Sequence, residues 1–591
     1  MYDSVDDAQR LAIGSECAQL AYSPLVSTVI VSIDGNAPPS RVEQSLNSLV
    51  RQVYTKWEAI LIVSCDVSSS CEELVQQQLG SDGRVRIVPA PADVNPNQAA
   101  SLGLNAANGE YVGFIFAGDR LSDDSLYQLV SLINDGDFDL IFTDEDSVNS
   151  SGVRSDPKFK PGWDRDLLLG SNYIGQFTLL RMSLLKELGS FRADMREHAV
   201  WDMLLRVAAV TTDDRVYHLP LVCYHTFIDQ NTMSTRSPRL ASDLSTMSIP
   251  PNIERMICEH LEACGEPAAQ LAPAAAGSDM IRVSRFLPTP PPLVTVIIPT
   301  RDQLTSLKKC VEGVLLETEY SPLELVIADN DSQEPETIEF LHKISDNPRV
   351  HVLRYPGPFN YSRINNDAVR HANGEILLLL NNDIEVISPN WLRELASHAL
   401  RADVGAVGAK LLYPDYHVQH AGIVLGANDN GWTVTHMHRF AERFDRGYLD
   451  QLCVPRSLSA VTGACLAIRK ELYDFVGGLD EVHFPITFND VDLCLRLGNL
   501  GYRIIWTPFA ELIHHECVSR KGGHADNLPE SYSEDREHEH FKAKWGNLAR
   551  TDDPFNNPNV LYGWREIMIP AFPPRIRRFG RRSKCASRSR V

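Results

Sequence analysis

Two widely separated parts of the chain carry the same order of apolar and polar segments. Thr28-Val-Ile-Val-Ser-Ile33 and Val294-Thr-Val-Ile-Ile-Pro299 are short, continuously apolar runs, the pattern of parallel strands buried on both faces. Each leads into an amphipathic segment and a second strand, SLVRQVYTKWEAILIV in one part and GVLLETEYSPLELVIADNDS in the other, with Tyr54 and Tyr320 at matching places. A Gly-containing turn and a third strand follow, ANGEYVGFIFAGD at Ala107 to Asp119 and ANGEILLLLNND at Ala372 to Asp383. Further on, Trp201-Asp-Met-Leu-Leu-Arg-Val207 mirrors Val491-Asp-Leu-Cys-Leu-Arg-Leu497, and both read as helix starts with a buried apolar face. So long a period indicates a duplicated domain and not a solenoid. Strands alternating with helices predict an α/β fold with two tandem sheets of mostly parallel strands.

The repeat sets the boundaries. Residues 1–26 form an N-terminal extension, 27–239 the first copy, 240–293 a linker, 294–530 the second copy, and 531–591 a C-terminal extension ending in a basic tail. The linker carries a predicted helix over Asn252 to Cys264 and a proline run, Pro288-Thr-Pro-Pro-Pro292, expected to act as a semi-rigid spacer.

Composition narrows the function only by exclusion. A net charge of −21 argues against tracking nucleic acid, which needs a basic face. The tail from Arg575 to Arg590 is the exception, with seven Arg and one Lys, and reads either as a solvated end or as a contact for anionic lipid or an acidic partner. No apolar run is long enough to cross a bilayer and the N-terminus lacks a signal-peptide core, so the expected location is cytoplasmic. Twelve scattered cysteines without a CxxC pair, several of them (Cys223, Cys465, Cys494) inside apolar stretches, predict reduced, buried thiols.

Chemistry is expected where the copies differ. Asn381-Asn382-Asp383 puts a hard oxygen ligand at the carboxyl end of a buried strand, where an α/β sheet binds its ligand, although a plain strand-ending turn has the same composition. The first copy has Phe116-Ala117-Gly118 there and lacks the carboxylate. In Asn489-Asp490-Val491-Asp492, either Asp is a helix cap or a proton acceptor. Asp492 and Arg496 have counterparts in Asp202 and Arg206, whereas Asp490 is replaced by Val200, so Asp490 is the better catalytic candidate. An imidazole of Ile513-His-His-Glu516 would complete a mixed N/O site that tilts toward Mn²⁺. No partner is evident for His436-Met-His438 or for Glu537-His-Glu-His540.

PTRD at Pro299 to Asp302, ADNDS at Ala328 to Ser332, FNYSRINND at Phe359 to Asp367, LNND at Leu380 to Asp383, HAG at His420 to Gly422, VTGAC at Val461 to Cys465, NDVDLCLR at Asn489 to Arg496 and IHHE at Ile513 to Glu516 occur in that order. Together they resemble family 2 of the inverting glycosyltransferases, with the GT-A fold, and most of all a tandem-domain, rhamnosyltransferase-like subgroup associated with O-antigen and cell-wall polysaccharides. The resemblance implies that Asp329 binds the nucleobase and that Pro299, Thr300 and Arg301 line the nucleotide pocket. It places Asn381 and Asp383 at the family's metal-binding DxD, with Asn for the first Asp, and assigns a downstream metal ligand to His514 or its neighbour His515. Asp490 becomes the general base. TDED at Thr143, FKPGW at Phe159 and SNYIG at Ser171 extend the likeness to the first copy, where Gly118 and Val200 replace the carboxylates while Asp119 and His225 persist nearby.

The implied reaction is metal-dependent (Mn²⁺ or Mg²⁺) transfer of a sugar from a nucleoside diphosphate, dTDP-rhamnose being favoured, to a glycan or lipid-linked glycan hydroxyl. The first copy is expected to be a degenerate domain. Two other readings are a non-catalytic scaffold and a nucleotidyltransferase, the latter weakened because neither GxGxxG nor GxxxxGK[ST] follows the first strand.

Overall fold

The computed structural model describes residues 5–33, 38–65, 68–79, 83–91, 93–228, 249–275, 280–426, 434–516, 533–550, 553–562 and 567–568. The basic stretch from Arg575 to Arg590 lies outside them.

Each copy builds one sheet. In the first, the strands are β1 (Val26–Ser32), β2 (Trp57–Ser64), β3 (Val85–Ala90), β4 (Tyr111–Phe116), β5 (Arg120–Leu121), β6 (Leu140–Val148), β7 (Thr178–Arg181) and β8 (Val216–Phe227). In the second they are β9 (Val294–Thr300), β10 (Leu323–Asp329), β11 (Val350–Arg354), β12 (Ile376–Leu380), β13 (Ile384–Val386), β14 (Val404–Leu412), β15 (Cys465–Arg469) and β16 (Arg503–His514). The first sheet runs β3-β2-β1-β4-β7-β6-β8-β5 and the second β11-β10-β9-β12-β15-β14-β16-β13, the same permutation. In both, the first four strands along this order are wholly parallel and so is the β6/β8 or β14/β16 pair; the inserted β7 or β15 and the edge strand run antiparallel. The apolar runs behave as their pattern requires: every residue of β1, β9, β10 and β12 is buried. Tyr54 and Tyr320 are equivalent down to the hydrogen bond, donating to Pro24 O at 2.6 Å and Pro292 O at 2.7 Å, just ahead of the first strand of each copy. Cys223, Cys465 and Cys494 are free and buried.

The linker departs from a spacer. Its helix, Pro251–Ala263, inserts Ile253, Met256, Ile257 and Leu261 into the first copy's core. The copies also touch across a polar interface. Asp166 of the first copy is buried beside Arg401, at 2.5 Å, and Arg503 of the second and Arg285 of the linker. Burial raises a carboxyl's pKa, but these guanidinium groups outweigh it and hold Asp166 well below the usual range. The TDED and FKPGW landmarks face the second copy and the C-terminal extension. Asp144 is fully buried and accepts from Asn557 Nδ2 at 2.9 and 3.0 Å, Phe159 N donates to Tyr448 Oη at 2.8 Å, and a Cβ on Gly162 would lie 1.8 Å from Pro554 O.

Candidate active site

β12 ends at Leu380, so Asn381, Asn382 and Asp383 emerge where the central strands stop, and β13 then pairs antiparallel with the end of β16 in the register Ile384 to His514. That pairing brings Asp383 and His514 together across the sequence. His514 Nε2 lies 3.1 Å from Asp383 Oδ1; Asp383 is buried and His514 largely so. His514 Nδ1 lies 2.6 Å from Gln419 Oε1, while Gln419 Nε2 donates to His514 O at 3.2 Å, which fixes the amide's orientation. An amide oxygen only accepts, so Nδ1 carries a proton and Nε2 is the nitrogen that faces the carboxylate. Consistently, Asn381 Nδ2 approaches that same Nε2 at 3.4 Å, and Asp383 Oδ1 is a buried oxygen without a hydrogen-bond donor. A carboxylate oxygen and an imidazole nitrogen facing each other at the strand ends are the ligand types that suit a divalent cation, and an amide on the far nitrogen is the outer contact that orients a metal-binding imidazole. Among the described residues no group of three His, Cys, Asp or Glu side chains converges on one point, so this pair is the protein's own contribution. His515 is taken elsewhere: its Nε2 meets Glu385 Oε2 at 2.9 Å, and Glu385 also pairs with Lys309.

Asp490 sits in the first turn of the helix Asn489–Asn499. Gly463 N donates to its Oδ2 at 2.7 Å and Val491 N to its Oδ1 at 2.8 Å. Burial pushes the carboxyl up, opposed by those two N–H groups. The Gly463 loop also reaches the other cluster, since Asn381 N donates to Ala464 O at 3.0 Å and Leu380 pairs with Cys465. Base candidate and metal candidate therefore hang on one short turn, Thr462 to Ala464. The turn is closely packed: a Cβ on Gly463 would lie 3.3 Å from Asp490 Cβ, and Tyr361 Oη donates to Gly463 O at 3.0 Å. Thr462 N donates to His420 Nε2 at 3.4 Å, so His420 carries its proton on Nδ1 and gives it to His436 Nδ1, 2.9 Å away. His436 thus has a partner, and burial drives its pKa down to about 4, leaving it neutral. Glu537, from the C-terminal extension, is buried and accepts from Ile486 N at 3.1 Å and from Thr487 N, steadying the approach to the Asp490 helix.

The nucleotide-side residues are assembled at the ends of β9 and β10, where Thr300 and Asp329 are register partners. Asn382 Nδ2 donates to Thr300 Oγ1 at 2.9 Å, tying the PTRD and NND segments. Asp329 Oδ1 accepts from Ser332 N at 3.0 Å and from Ser332 Oγ, which in turn accepts from Asp302 N. Pro299 pairs with Ala328 inside the sheet, and Arg301 lies just beyond it.

Asp492 behaves as the copy comparison anticipates. It is fully buried, bound by Arg496 Nε at 2.8 Å and Trp545 Nε1 at 2.9 Å, and Arg496 caps the carbonyls of Val476 and Gly478. Asp202, Arg206, Leu188 and Ser190 repeat that arrangement in the first copy.

Register settles what the first copy lacks. Counting from Val26 opposite Tyr111 and Val294 opposite Ile376, Gly118 matches Asp383; from the edge-strand pairing, Thr226 matches His514. Gly118 has φ +105°, and a Cβ there would lie 3.0 Å from Phe227, so the site has closed around the loss. Asp119 and His225 do not meet. Asp119 accepts from Phe227 N at 2.8 Å, Phe116 N at 3.1 Å and Tyr224 Oη, and burial pushes its pKa up to about 6; His225 bonds Asp146 and Ser122.

The model described as glycosyltransferase-like family 2 matches residues 290–539, and that described as glycosyl transferase family 2 matches residues 28–189. The chain belongs to glycosyltransferase family 2. Both halves carry it, in the GT-A-like arrangement of the sheets above. An uncharacterized protein of Sinorhizobium fredii, y4gI, is 36% identical over 568 residues, covering 95% of this chain and 61% of its own length. The O-antigen biosynthesis protein RfbC of Myxococcus xanthus is 33% identical over 561 residues, 94% of this chain and 42% of that protein. An N-acetylglucosaminyl-diphospho-decaprenol L-rhamnosyltransferase of Mycobacterium tuberculosis is 37% identical over 73 residues, 12% of this chain and 24% of the relative. The family 2 chain thus spans between two and three fifths of the first two relatives.

Removing the amide that orients His514 gives a test of the tautomer. Gln419→Leu is expected to weaken metal-dependent nucleotide-sugar binding by about 10–100-fold with little change in melting temperature. Calorimetry of Mn²⁺ and donor binding reads this, and wild-type affinity in the variant contradicts it.

Proposed function

We propose that the second copy is an inverting glycosyltransferase that moves a sugar from a nucleoside diphosphate to a hydroxyl of a bacterial surface polysaccharide or lipid-linked glycan. The observation that carries this reading is the Asp383–His514 pair at the strand ends, with Asp490 held by the adjoining turn. Asp383 and His514 would hold Mn²⁺ or Mg²⁺, which as a Lewis acid stabilises a diphosphate leaving group. Asn381 lines the same corner, and Asp329, Pro299, Thr300 and Arg301 take the nucleoside end. Asp490 accepts the acceptor hydroxyl's proton. Its raised pKa makes it a stronger base, and the two backbone N–H groups fix its oxygens. Because Asp490 works deprotonated, activity is expected to fall on acidification through a pKa above the usual aspartate range, read from the acid limb of kcat against pH; a limb at or below that range argues against Asp490 as base.

A rhamnose donor, dTDP-rhamnose, is favoured by the likeness to the named L-rhamnosyltransferase, and a surface-polysaccharide acceptor by that to RfbC. The first copy does not transfer and braces the second. The reaction belongs at the cytoplasmic membrane face, with the Arg-rich tail as a contact for anionic lipid; deleting residues 574–591 should reduce flotation with anionic vesicles in a salt-sensitive way, and unchanged flotation discards that contact. Among the described residues no helix is long and apolar enough to cross a membrane. The test of the whole reading is donor hydrolysis with Mn²⁺ over a panel of nucleotide sugars. A glycosyltransferase releases nucleoside diphosphate from these donors and a scaffold releases nothing; a nucleotidyltransferase leaves them intact unless pyrophosphate is added, and releases pyrophosphate only from a nucleoside triphosphate supplied with a sugar phosphate.

A further inference from the structure

The first copy holds a cavity of about 330 Å³ between the helix Pro39–Val50 and the edge strand β5. Arg51, Arg120, Arg154, Asp123, Ser122 and His225 line it. Gly118, Thr226 and Val200, which match Asp383, His514 and Asp490, do not, so the cavity is not a remnant of the catalytic corner.

Two of the three guanidinium groups are paired. Arg51 meets Asp123 at 2.8 Å, a carboxylate it shares with Arg10, and Arg154 meets Asp146 at 2.6 Å. Arg120 has no carboxylate. Among the described residues it bonds only the amide oxygen of Gln44, at 2.8 Å, and its Nε is buried without an acceptor. Burial disfavours its charge, yet a guanidinium does not give up its proton in a protein, so the positive charge stands uncompensated. The second copy displays the same place in balance. Register puts Glu385 where Arg120 stands; Cys310 Sγ meets Asn381 O as Ser45 Oγ meets Phe116 O, which puts Lys309 where Gln44 stands. Lys309 and Glu385 form an ion pair at 2.6 Å. In the first copy the strand's charge is inverted and its helix partner is neutral. Four guanidinium groups, counting Arg10, thus surround two carboxylates in a chain whose net charge is −21. Ser122 and His225 complete the wall and hold each other in place: His225 Nδ1 lies 2.5 Å from Asp146 Oδ1 and its Nε2 3.0 Å from Ser122 Oγ, whose hydroxyl donates to Val222 O at 3.1 Å.

We propose that this cavity is an anion site for a phosphoryl group, with Arg120 as the residue that grips it. The fork of guanidinium donors matches phosphate oxygens, and an anion there supplies both the missing counter-charge and the missing acceptor for Nε. A cavity near the ~300 Å³ lower bound of ligand pockets suits a mono- or diphosphate group better than a whole nucleotide sugar. The site stands independently of the transferase reading.

The test uses the full chain in EDTA, so that no metal recruits phosphate to the second copy. Inorganic pyrophosphate, titrated by calorimetry and thermal shift, is expected to bind one site per chain in the wild type and about 10-fold or more weaker in Arg120→Gln. Without pyrophosphate, Arg120→Gln should melt at or above the wild-type temperature, because a partly buried charge with no carboxylate partner has gone, and that separates a lost site from a lost fold. An alkyl diphosphate run alongside assigns the source: tighter binding of the ester points to a lipid-linked phosphate, tighter binding of the inorganic ion to a soluble one, provided each is lost with Arg120. No saturable binding by the wild type, or equal binding by Arg120→Gln, overturns the proposal.

Discussion

Asp490→Asn is expected to leave nucleotide-sugar affinity within a few-fold while turnover falls by at least about 10²-fold, the usual worth of a positioned general base. The substitution is nearly isosteric and keeps an oxygen to accept from Gly463 N, so the turn that joins base and metal corner should survive. Single-turnover rates beside donor titrations separate the two effects. Loss of donor affinity with an unchanged rate at saturation would make Asp490 a nucleotide ligand instead.

The largest stability effect is expected at the interface between the copies. Asp166→Ala removes the one carboxylate that Arg401, Arg503 and Arg285 share. Breaking one side of a buried ion cluster typically costs about 3–5 kcal/mol, because the remaining charges stay desolvated. Glu266, which reaches Arg285 at 2.6 Å and Arg401 at 3.2 Å, and Asp403, which accepts from Arg503 Nε at 3.0 Å, soften the loss but do not bridge all three guanidinium groups as Asp166 does. Thermal unfolding should therefore move down by several degrees, and activity should be lost at temperatures where the wild type still works. An unchanged melting curve would mean that the first copy does not brace the second through this contact.

The strands, their order of appearance and the asymmetry of the copies were legible in the sequence, because continuously apolar runs and their repeats are local signals. So was the pairing of Asp383 with His514, through the family pattern, and the structural role of Asp492, because Asp202 repeats it. The supports were not. Gln419 and Glu537 are single polar residues whose meaning comes from partners brought close by folding: an imidazole on another strand and two N–H groups in another loop. The proline run suggested a spacer, yet the linker helix is amphipathic and its apolar face lies in the first core. His436 looked unpartnered because its partner, His420, belongs to a different motif. The inverted charge at Arg120 is visible only after register aligns it with Glu385.

The central claim is that one of two homologous domains retains the donor and metal corner, and counting sites tests it most directly. Calorimetric titration of the full chain with a hydrolysis-resistant nucleotide sugar and Mn²⁺ is expected to give one metal-dependent site per chain. That site should vanish in Asp383→Ala and persist in Asp119→Ala, since Asp119 is occupied by Tyr224 and two backbone N–H groups. Two metal-dependent sites, with the second removed by Asp119→Ala, would contradict the account and show that both copies hold a donor.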